Sequence, residues 1–451
     1  MTYQPNSVEA RDAAYHLHSY TNARKNEEEG SLVIERGEGV YVYDNTGKRY
    51  IEGMAGLWSV GVGFGEKRLV EAAARQMGTL PYYHTFTQKA HNPSIDLAEK
   101  LVRMAPVPMS KAFFTNSGSE ANDTIIKMVR YRSNALGKPE KKKIISRIKG
   151  YHGVTLASAS LTGLPNNHRS FDLPMPGILH TGCPHYRVFK QEGESEAAFS
   201  ARMAAELEAM IISEGPETVA AFIGEPLMGA GGVIVPPVGY WAGIQAVLDK
   251  YDILLIADEV ICGFGRTGNM FGTQTYEMRP DFMTLSKQLS SSYLPISALL
   301  INDRVYQPIA DESKAIGTFG HGYTAAGHPV AAAVALENLA IIEERDLVGN
   351  VRDLSGLFLG RLDKLAEHPL AIEARGAGLI GALELAPREG FATGALGLKL
   401  FGILQGNGLI ARAIGDSLAL CPPMIITEAE VNTLFDIFET SIDQLQKEIG
   451  A

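Results

Sequence analysis

Cysteine is scarce in this 451-residue chain, and the three present, Cys183, Cys262 and Cys421, are too few and too scattered for a disulfide framework or a zinc site. That scarcity excludes a disulfide-stapled secreted scaffold, fits a reducing compartment and leaves no metal site to expect. Long apolar runs are missing as well. The N-terminal stretch MTYQPNSVEARDAAYH has no apolar core of signal-peptide length, and no segment carries the unbroken run needed to cross a bilayer. The expectation is a cytoplasmic protein without a membrane partner. Charge of one sign is not concentrated either: the net charge of -10 is spread along the chain. The one basic cluster, Lys141-Lys142-Lys143, sits at a loop-to-strand junction and reads as a solvated turn, so no nucleic-acid partner is expected. Fixed-period repeats and low-complexity tracts are also lacking.

What is there is an ordinary globular balance, 45% hydrophobic and 20% charged. The length exceeds the roughly 250–300 residues at which a single core stops growing, which predicts two domains.

The most informative stretch runs from Tyr251 to Ser292. Its apolar run Ile253-Leu254-Leu255-Ile256-Ala257 has the length of a fully buried strand and breaks into two acids, Asp258-Glu259. A second run, Phe282-Met283-Thr284-Leu285, precedes another charge, Lys287. Open parallel sheets bind ligands beyond the carboxyl ends of their strands, which is where both charges would fall. A lysine there can form a Schiff base with pyridoxal phosphate while an aspartate pairs with the protonated pyridine nitrogen. At about 4 Å and an effective dielectric near 20, that pairing is worth roughly 4 kcal/mol before desolvation is set against it. The stretch alone leaves a structural salt bridge between strand ends equally open. Two G-x-G-x-x-G matches, Gly263, Gly265, Gly268 and Gly376, Gly378, Gly381, raise a nicotinamide dehydrogenase as a different class. Neither match has the strand, turn and helix context of a dinucleotide site, because Gly272 and Pro280 break the first and Pro387 closes the second.

Asp258-Glu259-Val260, the GFGRTG behind it and Lys287 some thirty residues on resemble the signature of class III aminotransferases, pyridoxal-phosphate enzymes of fold type I. The likeness is greatest to the ω-amine:pyruvate branch and extends from about Gly39 to about Thr427. Gln288 departs from the glycine that often follows the lysine. The resemblance implies an α/β fold with a large domain, a mostly parallel seven-stranded sheet covered by helices, and a smaller α+β domain. The expected division is 1–59 as the N-terminal part of the small domain, 60–326 as the large cofactor-binding domain and 327–451 as the C-terminal part of the small domain.

In chain order, GVYVYDNTGKRYI (39–51) alternates on both sides of Asp44-Asn45-Thr46-Gly47 and predicts a hairpin. Trp58, on a glycine-rich loop, and Tyr82-Tyr83-His84-Thr85-Phe86 suggest an apolar substrate pocket, with Trp58, Tyr83 and Phe86 as its wall. Asn116-Ser117-Gly118-Ser119-Glu120 joins the strand Lys111–Thr115 to a helix starting near Ala121. Its serines and glycine leave backbone N–H groups and a positive dipole end free, which suits a phosphate on Gly118 and Ser119. Past the strand Ile144–Ile148, the resemblance implies that Tyr151 stacks on the pyridine and serves the substrate as well, with His152 among the cofactor contacts. The resemblance implies that Glu225, after the strand Val219–Ile223, is an acid near the cofactor, and that Val260 beside Asp258 joins the same set. Helices are expected at 197–213, 239–251, from Pro329 to about Glu343, at 348–366 and at 428–448, and strands at 297–301, 379–385 and 409–412. Thr324, in TFGHGYT (318–324), is the residue that would reach the phosphate of the neighbouring subunit's cofactor, which implies a homodimer or a tetramer. Arg412 is the candidate for the carboxylate of a keto acid, although Arg266 and Arg375 occupy equally suggestive glycine-flanked sites.

The activity so implied is amino transfer from an ω-amine or amino acid to a keto acid such as pyruvate, in two half-reactions on pyridoxal phosphate, with Lys287 and Asp258 catalytic. An aminomutase or decarboxylase could use the same lysine and aspartate on the same fold.

Overall fold

The computed structural model describes residues 3–450. Its centre is a seven-stranded sheet in the spatial order Lys111–Thr115, Ser297–Ile301, Phe282–Leu285, Leu254–Asp258, Val219–Gly224, Lys143–Arg147, Ile178–Thr181. The five strands from Phe282–Leu285 to Ile178–Thr181 run parallel. Ser297–Ile301 is antiparallel to both neighbours, because the short connection after Lys287 has no crossover helix to bring the chain back in the same direction.

Every residue of Val219–Gly224, Leu254–Asp258, Phe282–Leu285 and Ser297–Ile301 is buried, as expected for strands covered on both faces. Alternate side chains of Leu254–Asp258 go to opposite sides. Leu254 and Ile256 pack with Ile125 and Val129 of the helix Gly118–Ala135, while Leu255 and Ala257 pack with Phe199 and Leu207 of the helix Glu196–Glu214 and Trp241 of the helix Tyr240–Lys250.

Two four-stranded sheets flank this centre. One joins Ile34–Glu38, Tyr41–Asp44 and Arg49–Glu52 to Leu409–Ile410; the other is Ala371–Ala377, Ile380–Leu385, Ser417–Leu420 and Arg412–Ile414. The hairpin lies where alternation predicts it, its turn held by the Asp44 carboxylate, which accepts from Thr46, Lys48 and Tyr50. Ile34–Glu38 and Ala371–Ala377 go beyond the sequence expectations: their residues are exposed or half-buried, and neither run alternates strictly. The expected strand 409–412 is in fact two, since the chain leaves one sheet after Ile410 and enters the other at Arg412. The two dinucleotide-like glycine patterns are also resolved. Gly263, Gly265 and Gly268 lie in turns that lead into no long helix, and Gly376 and Gly381 pair across a hairpin whose turn holds Gly378. The closing helix Glu428–Glu448 begins at a capping box between Thr427 and Glu430.

One apolar core runs from Phe264, Leu285 and Leu300 through Ala335 and Leu339 to Phe358, Leu418 and Phe438, so the C-terminal residues share a core with the strands beside Lys287. All three cysteines are free and buried. Among the described residues, no helix is long and apolar enough to cross a membrane.

Candidate active site

Asp258 and Lys287 emerge at the carboxyl ends of adjacent parallel strands, with Asp258 in register with Thr284. They do not pair with each other. Asp258 Oδ2 accepts from Asn122 Nδ2 at 2.9 Å and lies 2.8 Å from His152 Nδ1, while Oδ1 accepts from the Val260 N–H at 3.2 Å. Asn122 is fixed in turn, donating to the His152 carbonyl at 2.7 Å and accepting from Thr284 Oγ1 at 2.8 Å. The salt bridge that the sequence left open is therefore not formed. Among the described residues Lys287 makes no ion pair; its backbone turns sharply at φ +46°, and burial pushes its amine below the usual lysine range against the opposing pull of Asp258 and Glu225.

The helix Gly118–Ala135 points its N-terminus at the same place. The Ser117 hydroxyl caps it by accepting from the Glu120 N–H at 3.1 Å, and Ser119 Oγ accepts from the Val154 N–H at 3.1 Å. Gly153, at φ +129°, lets this contact form, since a Cβ there would lie 2.6 Å from Ser119 Oγ and 2.4 Å from Ser158 Oγ. Glu225 supports the opposite wall. Its Oε1 accepts from the Tyr151 N–H at 3.0 Å and its Oε2 from the Gly229 N–H at 2.9 Å, and burial pushes its carboxyl up.

Gly118, Ser119, Tyr151, His152, Glu225, Asp258, Val260 and Lys287 thus line one cavity of about 160 Å³, together with Asn122, Gly153, Ile261 and Ser286. Pyridoxal phosphate fits these groups. A helix N-terminus with hydroxyl and glycine supplies a phosphate cradle, a buried carboxylate faces a ring nitrogen, a phenol supplies a stacking surface, and an amine without an ion pair can meet an aldehyde. His152 Nε2 is buried without a hydrogen-bond partner among the described residues.

A second cavity of about 600 Å³ opens on the other side of Tyr151 and Lys287. Trp58, Tyr151 and Arg412 line it as expected, joined by Tyr20, Leu57 and Phe401, which sequence reasoning missed. Tyr20 stands in a segment without periodicity and offers no local signal. Tyr20 and Tyr151 both line this wall, and burial raises the Tyr151 pKa. The Trp58 loop hangs from Glu52, whose carboxylate accepts from the Met54 N–H at 2.9 Å and from the Gly56 N–H. Burial with no cation nearby pushes Glu52 up to about 7.

The three candidate arginines separate by their partners. Arg266 is fully buried and donates to the carbonyls of Leu379 and Pro422 and to Gln288 Oε1. Arg375 is bound to Glu373, Glu384, Ser417 and the Gly232 carbonyl. Arg412 makes no ion pair among the described residues and lines the cavity, with Tyr151 and Tyr20 as its electrostatic neighbours. Gln288 also finds its place here, linking Arg266 to the Gly263 carbonyl.

Tyr83, Phe86 and Thr324 line neither cavity in this chain. Tyr83 stacks on His84, Phe86 packs against Gly322, and the Thr324 carbonyl accepts from Tyr82 Oη at 2.7 Å. The two loops form one patch, with Tyr83, Phe86 and Thr324 exposed.

This fold and this constellation define a pyridoxal-phosphate-dependent enzyme of fold type I. The chain belongs to the class-III aminotransferase family, whose description it matches over residues 22–442. It is 50% identical over 424 residues to γ-aminobutyrate transaminase 1, mitochondrial, of Solanum lycopersicum, covering 93% of this chain and 82% of that protein. To vanillin aminotransferase of Capsicum annuum it is 47% identical over 424 residues, covering 93% and 92%. Among solved structures, the ω-transaminase from Pseudomonas jessenii in complex with PMP superposes with a TM-score of 0.97 at 60% identity, covering 98% of this chain and 99% of that one. The PMP-bound aminotransferase from Vibrio fluvialis gives 0.95 at 43% identity, covering 99% and 100%. The protein is a pyridoxal-phosphate-dependent aminotransferase.

Proposed function

We propose that this aminotransferase takes its amino group from an ω-amine or other amine with an apolar body and delivers it to a small keto acid such as pyruvate. The observation that carries this reading is Arg412: a guanidinium that makes no ion pair among the described residues, in a mostly apolar and aromatic wall that includes Tyr20, Leu57, Trp58, Tyr151 and Phe401. Such a wall accepts an apolar amine, and the guanidinium accepts the carboxylate of the keto acid through two charge-assisted hydrogen bonds.

Pyridoxal phosphate supplies the aldehyde that takes up the amino group and the ring that spreads the negative charge developing on the substrate carbon. The chain's residues do the rest. Gly118 and Ser119 would hold the phosphate, Tyr151 and Val260 would flank the ring, and Asp258, held by Asn122 and His152, would meet the ring nitrogen. Glu225 sets the backbone of Tyr151. Lys287, whose amine makes no ion pair among the described residues, would meet the aldehyde and would move the proton at the substrate carbon, a task that its pKa, lowered by burial, suits.

On a division into a large domain, 60–326, and a small one, 1–59 with 327–451, the site would lie between the two. Thr324, with Tyr83 and Phe86 beside it, serves the neighbouring subunit in a homodimer, alone or within a tetramer. Their exposure on a patch away from this chain's own cavity supports that reading. Three buried free thiols favour a reducing compartment such as the cytoplasm, whereas several plant relatives carry mitochondrial or chloroplastic names.

The test is a spectral screen. Aromatic amines, diamines, β-alanine and γ-aminobutyrate are added singly to the enzyme, and loss of the bound cofactor's visible band is followed before pyruvate is supplied. Recovery of the band with release of alanine supports the reading. A requirement for a carboxylate on every productive amine would overturn the donor assignment.

A further inference from the structure

The first described helix, Val8–Tyr15, buries none of its residues, so the apolar core does not hold it in place. What ties it down is a knot around Asp12. Asp12 Oδ1 lies 3.1 Å from His16 Nδ1, Oδ2 lies 2.7 Å from His18 Nε2, and Ser31 Oγ donates to Oδ2. Ser31 Oγ is also 3.5 Å from His18 Nε2 and 3.1 Å from Asn26 Oδ1. The two imidazole rings are 4.2 Å apart, and one ligand atom from each of Asp12, His16 and His18 lies within 4.8 Å of the others.

We propose that Asp12, His16 and His18 form a binding site for a divalent transition-metal ion of the zinc or nickel class, and that its occupancy fixes Tyr20 in the wall of the larger cavity. Two imidazoles and a carboxylate are the donor set this class prefers, and a serine hydroxyl or water completes a fourfold shell. Ligand atoms around a tetrahedral ion with bonds near 2.1 Å sit about 3.4 Å apart, so the Asp12–His16 contact at 3.1 Å is already near that spacing and the Asp12–His18 contact at 2.7 Å has to open by roughly 0.7 Å. The proton on each ligating ring nitrogen moves to the other nitrogen of the same ring. No group is oxidised, and a histidine that was cationic releases its proton to solvent.

A second cluster, His185 with Glu373 and Glu384, shows what a closed site looks like: Arg375 Nη1 already lies 2.8 Å from Glu373 and 2.6 Å from Glu384 and supplies the positive charge. No arginine or lysine pairs with Asp12 among the described residues. The consequence for the active site follows from chain distance. Tyr20 stands two residues past His18, lines both the cavity beside Lys287 and an adjoining one near Phe171, and accepts from Asn167 Nδ2. Pinning His18 therefore restrains the segment that presents Tyr20 to Tyr151. That this wall touches substrate rests on the function proposed above, whereas metal binding does not.

The experiment uses tag-free, cofactor-loaded enzyme without substrate. Zinc chloride is titrated by calorimetry near neutral pH, with magnesium as the ion that demands oxygen ligands. One zinc per chain is expected, with no magnesium binding. Affinity should weaken by about tenfold or more in His18→Ala and in Asp12→Asn. Hydrogen exchange at residues 16–22 should slow with zinc in the wild type and not in His16→Ala/His18→Ala. Unchanged cofactor absorbance and thermal midpoint in the variants show that they remain folded. Absence of saturable zinc binding, or binding retained in the double variant, overturns the site. Binding without slowed exchange at residues 16–22 overturns the link to Tyr20.

Discussion

Among the described residues Lys287 and Arg412 make no ion pair at the site. Asp258 is engaged by Asn122, His152 and the Val260 N–H, so it does not quench the lysine. Lys287→Ala should retain cofactor without covalent attachment, seen as loss of the borohydride-fixed mass increment, and should lose turnover by at least about 10²-fold, the scale of a positioned proton-transfer group. Full turnover in that variant would remove Lys287 from the chemistry. Arg412→Ala is expected to raise the Michaelis constant for pyruvate by about tenfold, equivalent to ~1.4 kcal/mol, while the half-reaction with a carboxylate-free amine stays nearly unchanged. Equal losses in both half-reactions would mean general damage to the pocket. In the sequence Arg266, Arg375 and Arg412 look alike; their hydrogen-bond partners distinguish them, and those partners come from distant strands and loops.

At the scale of elements, the site is built from helix starts and strand ends whose neighbours fit closely. Gly153→Ala would drive a methyl against Ser119 Oγ and Ser158 Oγ, at 2.6 and 2.4 Å, on a backbone at φ +129°. The expected result is a phosphate cradle pushed open and a cofactor dissociation constant raised by about tenfold or more, read by equilibrium dialysis. Unaltered retention would show that the cradle tolerates the shift. The turn 53–58 hangs on Glu52, which keeps its proton up to about 7 when folded against an ordinary 4.5. A carboxyl raised in the folded state binds its proton more tightly there, so its contribution to stability declines as pH rises from about 4.5 to about 7. Comparing denaturant midpoints of wild type and Glu52→Gln across that window should show the wild type losing roughly 3 kcal/mol relative to the variant, as an order of magnitude. Parallel pH profiles would contradict the burial of an uncompensated carboxylate.

For the whole molecule, two loops matter that contribute nothing to their own chain's cavity. Residues 82–86 and 318–324 pack on each other through Tyr82 and Thr324 and through Phe86 and Gly322. If they complete a neighbour's site, Thr324→Ala should lower cofactor retention without altering amine preference. Sedimentation at assay concentration should then find no active monomer. A fully active monomer would confine these loops to a local packing role.

The sequence by itself determined the chemistry of the strand ends and the strong local signals. Buried apolar runs placed Asp258 and Lys287, and a serine cap placed Gly118 and Ser119, because period and cap are properties of a few consecutive residues. Tertiary structure alone decided which polar groups meet. Asn122 reached Asp258 from a helix 136 positions earlier in the chain, Tyr20 reached Tyr151 from a segment with no pattern, and Glu52 took up the Trp58 loop. It also turned Ser297–Ile301 against its neighbours and split 409–412 between two sheets. Partner choice for a hydrogen bond or a strand is settled by contacts distant in sequence, and no local window contains them.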